Sequence, residues 1–139
     1  MFVGRFEHSL DEKGRLVLPS SYRSQFEERG FLTQYQRCLG LWTADGFDEV
    51  TQRLREKFRA GLAPNSALRA FAANAVEVRV DKQGRISIPE WLRAKAGIER
   101  DAVIIGVLDR IEIWSADRWR SESEGADDDL LRAVNELGI

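Results

Sequence analysis

The chain has one cysteine, Cys38, one histidine, His8, and three prolines in 139 residues. A lone cysteine cannot close an intrachain disulfide, which points to a reducing compartment. One cysteine and one histidine together exclude a zinc finger or a Cys/His metal site, so no metal and no cofactor are expected. Long apolar runs are missing too: a stretch such as Ala102 to Leu108 is far too short to span a bilayer. Met1-Phe2-Val3-Gly4-Arg5 lacks the basic and apolar regions of a secretory signal. A cytoplasmic protein without a membrane partner is therefore expected. Neither charge dominates, since 21 Lys+Arg stand against 23 Asp+Glu, a net charge of −2.

The small net charge hides an uneven distribution. Residues 1–100 carry 17 basic and 13 acidic side chains, a balance of +4, whereas residues 101–139 carry 4 and 10, a balance of −6. The acid includes the run Asp127-Asp128-Asp129. Local patches govern binding more than totals do, so the first hundred residues remain open to a polyanionic partner. An ordinary surface with an acidic tail fits the same distribution. With 43% hydrophobic residues the chain can form a folded core, as one domain or two very small ones.

What the chain does contain is a copy of itself. Asp11-Glu12-Lys13-Gly14-Arg15-Leu16-Val17-Leu18-Pro19 recurs 70 residues later as Asp81-Lys82-Gln83-Gly84-Arg85-Ile86-Ser87-Ile88-Pro89. Trp42-Thr43-Ala44-Asp45 recurs 72 residues later as Trp114-Ser115-Ala116-Asp117, and Phe47 then pairs with Trp119. Two blocks in the same order imply two units of about fifty residues joined by Ala60 to Ala75.

Each unit opens with alternating residues. Phe2, Gly4, Phe6, His8 and Leu10, and Val76, Val78 and Val80, mark half-buried strands. His8 falls on the apolar face, as a structural histidine would. Asp-x-x-Gly-Arg predicts a tight hairpin connection, with Asp11 and Asp81 accepting backbone N–H bonds and Gly14 and Gly84 taking positive φ. Leu16 and Leu18 (Ile86 and Ile88) then face inward, and Arg15 and Val17 (Arg85 and Ser87) face outward. After Pro19 and Pro89 come helices at Ser20 to Glu28 and at Glu90 to Ala96, the latter ended by Gly97. Strands follow at Phe31 to Tyr35 and Leu39 to Thr43, and at Val103 to Leu108 and Ile111 to Ser115. Asp48 to Ala60 is a helix with an apolar stripe of Val50, Leu54 and Phe58, either core or subunit interface. Ser66 to Asn74 is a further helix, and Leu130, Leu131, Val134 and Leu137 mark a marginal one at the C-terminus. One such unit buries too little surface to stand alone, so the two should interlock into one sheet-rich body.

The repeated arginines carry the chemistry. A guanidinium just beyond a turn can pair with guanine O6 and N7 or hold a phosphate, and a two-stranded ribbon fits the major groove. Lys13 and Lys82, in the turns, suit positioning contacts to phosphate. Arg5 and Arg79, on the polar face of the preceding strands, extend the patch. Arg15 and Arg85 have a structural reading as well, as ion pairs with Asp11 and Asp81, whose carboxylates repel phosphate and serve as turn-formers. Trp42, Trp114 and Trp119 fit core or interface anchors better than stacking platforms. Asp11 and Asp81 have the pairing of a catalytic dyad, but the adjacent arginines would lower both pKa values rather than split them. A Walker A loop, a nucleophile elbow and a metal-ligand cluster are all absent from the sequence, so no enzymatic activity is expected.

The doubled motif, with Phe2-x-Gly4-x-Phe6-x-His8-x-Leu10-Asp11-x-Lys13-Gly14-Arg15 and Asp81-x-x-Gly84-Arg85, resembles the MraZ family of tandem SpoVT-AbrB-type units. The likeness covers essentially residues 1–120. Phe6 stands where many members have Tyr, and Gln83 replaces the Lys13 of the first copy, so the two copies cannot make identical contacts. The resemblance implies an α+β fold with a mainly β core, a swapped-hairpin (AbrB-like) β-barrel formed by the two repeats, and short peripheral helices. The chain divides into repeat 1 (1–60), a helical linker (61–75), repeat 2 (76–121) and an acidic tail (122–139) that matches no family pattern. The resemblance implies a ring-shaped homo-oligomer that binds direct repeats in promoter DNA and regulates the division and cell-wall gene cluster, its own operon included. It also implies a location at the nucleoid. An AbrB-type antitoxin or protein-interaction module is the alternative. No small-molecule ligand is implied.

Overall fold

A computed structural model describes residues 1–27 and 29–139. The first repeat comprises β1 (Arg5–Ser9), β2 (Arg15–Val17), α1 (Ser20–Arg23), β3 (Gly30–Tyr35), β4 (Cys38–Thr43) and α2 (Ala44–Arg59). The connection contains α3 (Asn65–Ala73). The second repeat comprises β5 (Val76–Val78), β6 (Arg85–Ser87), α4 (Glu90–Ala96), β7 (Asp101–Gly106), β8 (Ile111–Ser115) and α5 (Ala116–Glu122). The chain ends in α6 (Ala126–Leu137).

Local sequence explains most boundaries. Thr43 Oγ1 accepts the Gly46 N–H at 3.1 Å and starts α2. Its repeat counterpart Ser115 accepts the Arg118 N–H at 3.1 Å and starts α5. These are N-caps for otherwise unpaired donors of the first turn. Gly97 ends α4 in the left-handed region at φ 69°. α1 is shorter than the predicted helix: it ends at Arg23 with Ser24 as its C-cap, and Glu28, its predicted end, lies outside the described residues.

Among the described residues, six strands form one antiparallel sheet in the order β1-β7-β8-β4-β3-β5, and β2 pairs with β6 as a separate ribbon. Exchanging the repeats turns the sheet order into its own reverse, so the molecule has a pseudo-twofold axis. The first strand of each repeat pairs with the third strand of the other: Phe6 lies opposite Ile104, and Phe31 opposite Glu77. β4 and β8 meet on the axis, with Gly40 opposite Glu112. Leu16, Leu18, Leu32, Leu39, Ile86, Ile104 and Ile113 fill one core to which both repeats contribute. The result is a mixed α+β fold with a mainly antiparallel sheet.

Three expectations need correction. The Asp-x-x-Gly-Arg turns do not close hairpins within a repeat: β1 pairs with β7 and β2 with β6, because each strand finds its partner across the pseudo-twofold axis. The described strands do not form a closed hydrogen-bonded barrel, since β1 and β5 remain the two edges of an open sheet. His8 is exposed rather than structural. It lies on edge strand β1, where only Phe6 is even partly buried. No helix among the described residues is long and apolar enough to cross a membrane.

Candidate nucleic-acid interface

The β2–β6 ribbon brings the two motifs together. Its register places Arg15 opposite Ser87, Leu16 opposite Ile86 and Val17 opposite Arg85, a pattern that the repeat maps onto itself. Just outside it, the Leu18 N–H donates to Gly84 O at 2.9 Å and the Ile88 N–H to Gly14 O at 3.0 Å. The apolar residues Leu16, Leu18, Ile86 and Ile88 anchor the ribbon in the core. Burial of that face directs the intervening side chains outward.

Each turn is built in the same way. Asp11 Oδ1 accepts the N–H groups of Lys13 and Arg15 at 3.0 and 2.9 Å, while Oδ2 accepts Arg15 Nε–H at 2.7 Å. Asp81 Oδ1 accepts from the N–H groups of Gln83 and Arg85, both at 2.9 Å, and its Oδ2 accepts Arg85 Nε–H at 2.9 Å. The Asp11 and Asp81 N–H groups donate to the Arg15 and Arg85 carbonyls at 2.9 Å. The Arg15 N–H, aided by its side chain, holds the Asp11 carboxyl below the usual aspartate range, and the Arg85 N–H does the same for Asp81. Gly14 and Gly84 close the turns at φ 73° and 78°, in the left-handed region.

This geometry reconciles the two roles considered for the arginines. Nε of each guanidinium is fixed by an aspartate, and among the described residues neither arginine donates a hydrogen bond from its terminal nitrogens. Arg85 Nη1 stands 3.8 Å from Asp11 Oδ2, linking the two turns. The side chains are 30% and 22% exposed, oriented but not enclosed. A guanidinium held at Nε presents its two Nη groups as a fork, the geometry for guanine O6/N7 or for phosphate.

The remaining predicted residues are distributed unequally. Lys13 and Lys82 are exposed in the turns, but at non-equivalent places: Lys13 aligns with Gln83, and Lys82 with Glu12. Arg79 adjoins the second turn and lies 3.5 Å from Glu77. Arg5 is exposed at the opposite end of β1, six residues and roughly 20 Å of extended chain from Asp11.

Sequence reasoning missed Arg23 and Arg93. Arg93 packs over Gly14 of the other repeat, and Arg23 over Gly84. Arg93 Nε donates to Ile88 O at 3.1 Å. With Lys13, Arg15 and Arg100, Arg93 lines an open depression of about 570 Å³ beside the first turn. The signal was present, since Arg23 and Arg93 are themselves 70 residues apart, each four residues after the repeated proline.

Fold and site define a duplicated α+β protein whose two Asp-x-x-Gly-Arg turns share one ribbon. A family model described as "MraZ protein, putative antitoxin-like" matches residues 1–65 and 71–135. The chain belongs to the MraZ family. It is 39% identical over 138 residues to the transcriptional regulator MraZ of Symbiobacterium thermophilum, covering 99% of this chain and 100% of that protein. The transcriptional regulators MraZ of Alkaliphilus metalliredigens and Caldicellulosiruptor bescii are 36% and 38% identical over 143 residues, covering 100% of both chains in each comparison.

Proposed function

We propose that this chain is a cytoplasmic, nucleoid-associated transcriptional regulator that binds double-stranded DNA sequence-specifically through the paired turns on the β2–β6 ribbon. The observation that carries the proposal is the pair of guanidinium groups, each fixed at Nε by its own aspartate and donating no hydrogen bond from its terminal nitrogens among the described residues, with Arg85 Nη1 alone in a 3.8 Å ion pair to Asp11. The naming of full-length relatives as transcriptional regulators supports it. Arg15 and Arg85 read bases, while Lys13, Lys82 and Arg79 hold phosphates. Arg5, at the far end of β1, contributes least. Residues 1–60 and 76–121 act as the two binding units, with 61–75 as linker and 122–139 as an acidic tail.

One ribbon offers few cationic contacts, so a single chain binds weakly and with strong salt dependence. Several subunits engaging repeated sites raise avidity by roughly 10²–10⁴. The protein therefore acts as a ring-shaped homo-oligomer on promoter direct repeats, controlling the division and cell-wall gene cluster that includes its own operon. Titrating labelled DNA from upstream of its gene, with intact and scrambled repeats, tests this. Preference for the intact repeats supports the regulator, and equal binding to both at every salt concentration refutes it.

The family description as antitoxin-like favours a second reading, an AbrB-type antitoxin or protein-interaction module. That reading predicts an unstable lone chain that co-purifies with a small basic protein, whereas the regulator is stable by itself.

A further inference from the structure

Among the described residues, two apolar surfaces lack a partner within the chain. The first is a groove between α2, α3 and β3. Phe47 stacks on Phe31 at 4.6 Å and on Phe71 at 5.9 Å, and these rings line a cavity of about 320 Å³ with Leu54, Leu68 and Ala72. The second is α6. Leu130, Leu131 and Leu137 are each more than 60% exposed, and among the described residues no other element packs broadly on this helix. Leu130, Val134 and Leu137 recur at i, i+4 and i+7, the spacing with which an amphipathic helix fills a groove.

Charge selects the pairing. Arg55 lines the groove together with Glu77, and Lys57, Arg59 and Arg69 lie further along its two helices; none of these four basic residues forms an ion pair among the described residues. α6 opens with Asp127, Asp128 and Asp129, and Glu136 lies near its end. The sequence thus holds an acidic helix with apolar anchors and an apolar groove beside the C-terminal end of α2, where Arg53, Arg55, Lys57 and Arg59 stand against Glu56 alone.

We infer that α6 of one subunit docks into the α2–α3 groove of a second copy. Helix and groove are different surfaces, so the contact is heterologous and closes into a ring when its rotation permits. The inference deepens the self-assembly part of the proposed function and rests on it. It gives the acidic tail a task that leaves the β2–β6 ribbon free for DNA.

The test uses the full-length chain and light scattering over a concentration series. Leu130→Asp/Leu137→Asp, both at exposed positions, raises the concentration for half-assembly at least about tenfold. Arg55→Glu/Lys57→Glu weakens assembly likewise, and combining it with Asp127→Lys/Asp128→Lys restores it. Mixing Val134→Cys chains with Leu68→Cys chains and oxidising them gives a cross-link between chains. Two results overturn the docking while sparing self-assembly: no cross-link between the mixed Val134→Cys and Leu68→Cys chains, or full assembly of the leucine variant. A wild-type chain that stays monomeric at every concentration overturns both.

Discussion

Arg93 of the second repeat lies so close over Gly14 of the first that a Cβ on Gly14 would stand 2.9 Å from Arg93 Cζ. Gly84 has the same relation to Arg23, whose Cζ would lie 2.8 Å away. Both glycines also occupy positive φ, which costs an L-residue about 1–2 kcal/mol. Gly14→Ala and Gly84→Ala should therefore each lower stability in urea by about 1–2 kcal/mol, with the guanidinium ends of Arg93 and Arg23 shifting aside. A Gly14→Ala variant as stable as the parent contradicts this packing.

The turn aspartates make stability depend on acid. Their folded pKa values lie below the ordinary value of 3.8, first because backbone N–H groups of Arg15 and Arg85 donate to the carboxylates. A depressed folded pKa adds stability that is complete above the unfolded value and is lost as pH falls through the folded one. The loss should begin near pH 4 and continue below it. Asp11→Asn/Asp81→Asn should be less stable at neutral pH and should show a flatter decline in this window. An unchanged acid slope in urea titrations at successive pH values counts against it.

Beside the pseudo-twofold axis, buried Glu112 accepts from Arg110 Nε at 2.9 Å and from Trp114 Nε1 at 3.0 Å. Arg110 also stacks over the Tyr35 ring at 4.8 Å. Arg110→Met leaves the carboxylate without a charge partner and should cost about 3 kcal/mol, at the low end for buried pairs because Arg110 is partly exposed. Adding Glu112→Gln, which keeps an acceptor for Trp114, should recover much of that loss in a double-mutant cycle. Additive losses contradict the coupling.

Cys38 is fully buried, and burial pushes its thiol well above the ordinary value. It should resist alkylation in the native protein and react only as the chain unfolds in urea. Stoichiometric labelling of native protein at neutral pH contradicts the burial.

Much of this was legible in the sequence, and what was not has a common cause. The Asp-x-x-Gly-Arg repeat disclosed the twofold pattern, and alternation placed Leu16, Leu18, Ile86 and Ile88 in the core, where they lie. The strands of the β3–β4 and β7–β8 hairpins fell close to their expected positions. Partner choice was hidden, because local pattern says that β2 is a strand but not that β6, 70 residues away, completes it. For the same reason Arg23 and Arg93 escaped notice: each packs on a glycine of the other repeat. Alternation misled at His8, because period two records orientation along a strand and not whether an edge strand is covered there. The proposed DNA-reading role of the arginines rests on their chemistry and geometry, not on the pattern alone.

The most direct test of the DNA-reading ribbon compares wild type, Arg15→Ala and Arg85→Ala on the upstream fragment across a salt series, with light scattering to verify assembly. The account predicts intact assemblies, a loss of about 1–3 kcal/mol in specific binding for each base contact removed, and reduced discrimination against scrambled repeats. Intact assemblies that bind DNA with wild-type affinity, specificity and salt slope would contradict it, leaving the two arginines as purely structural partners of Asp11 and Asp81.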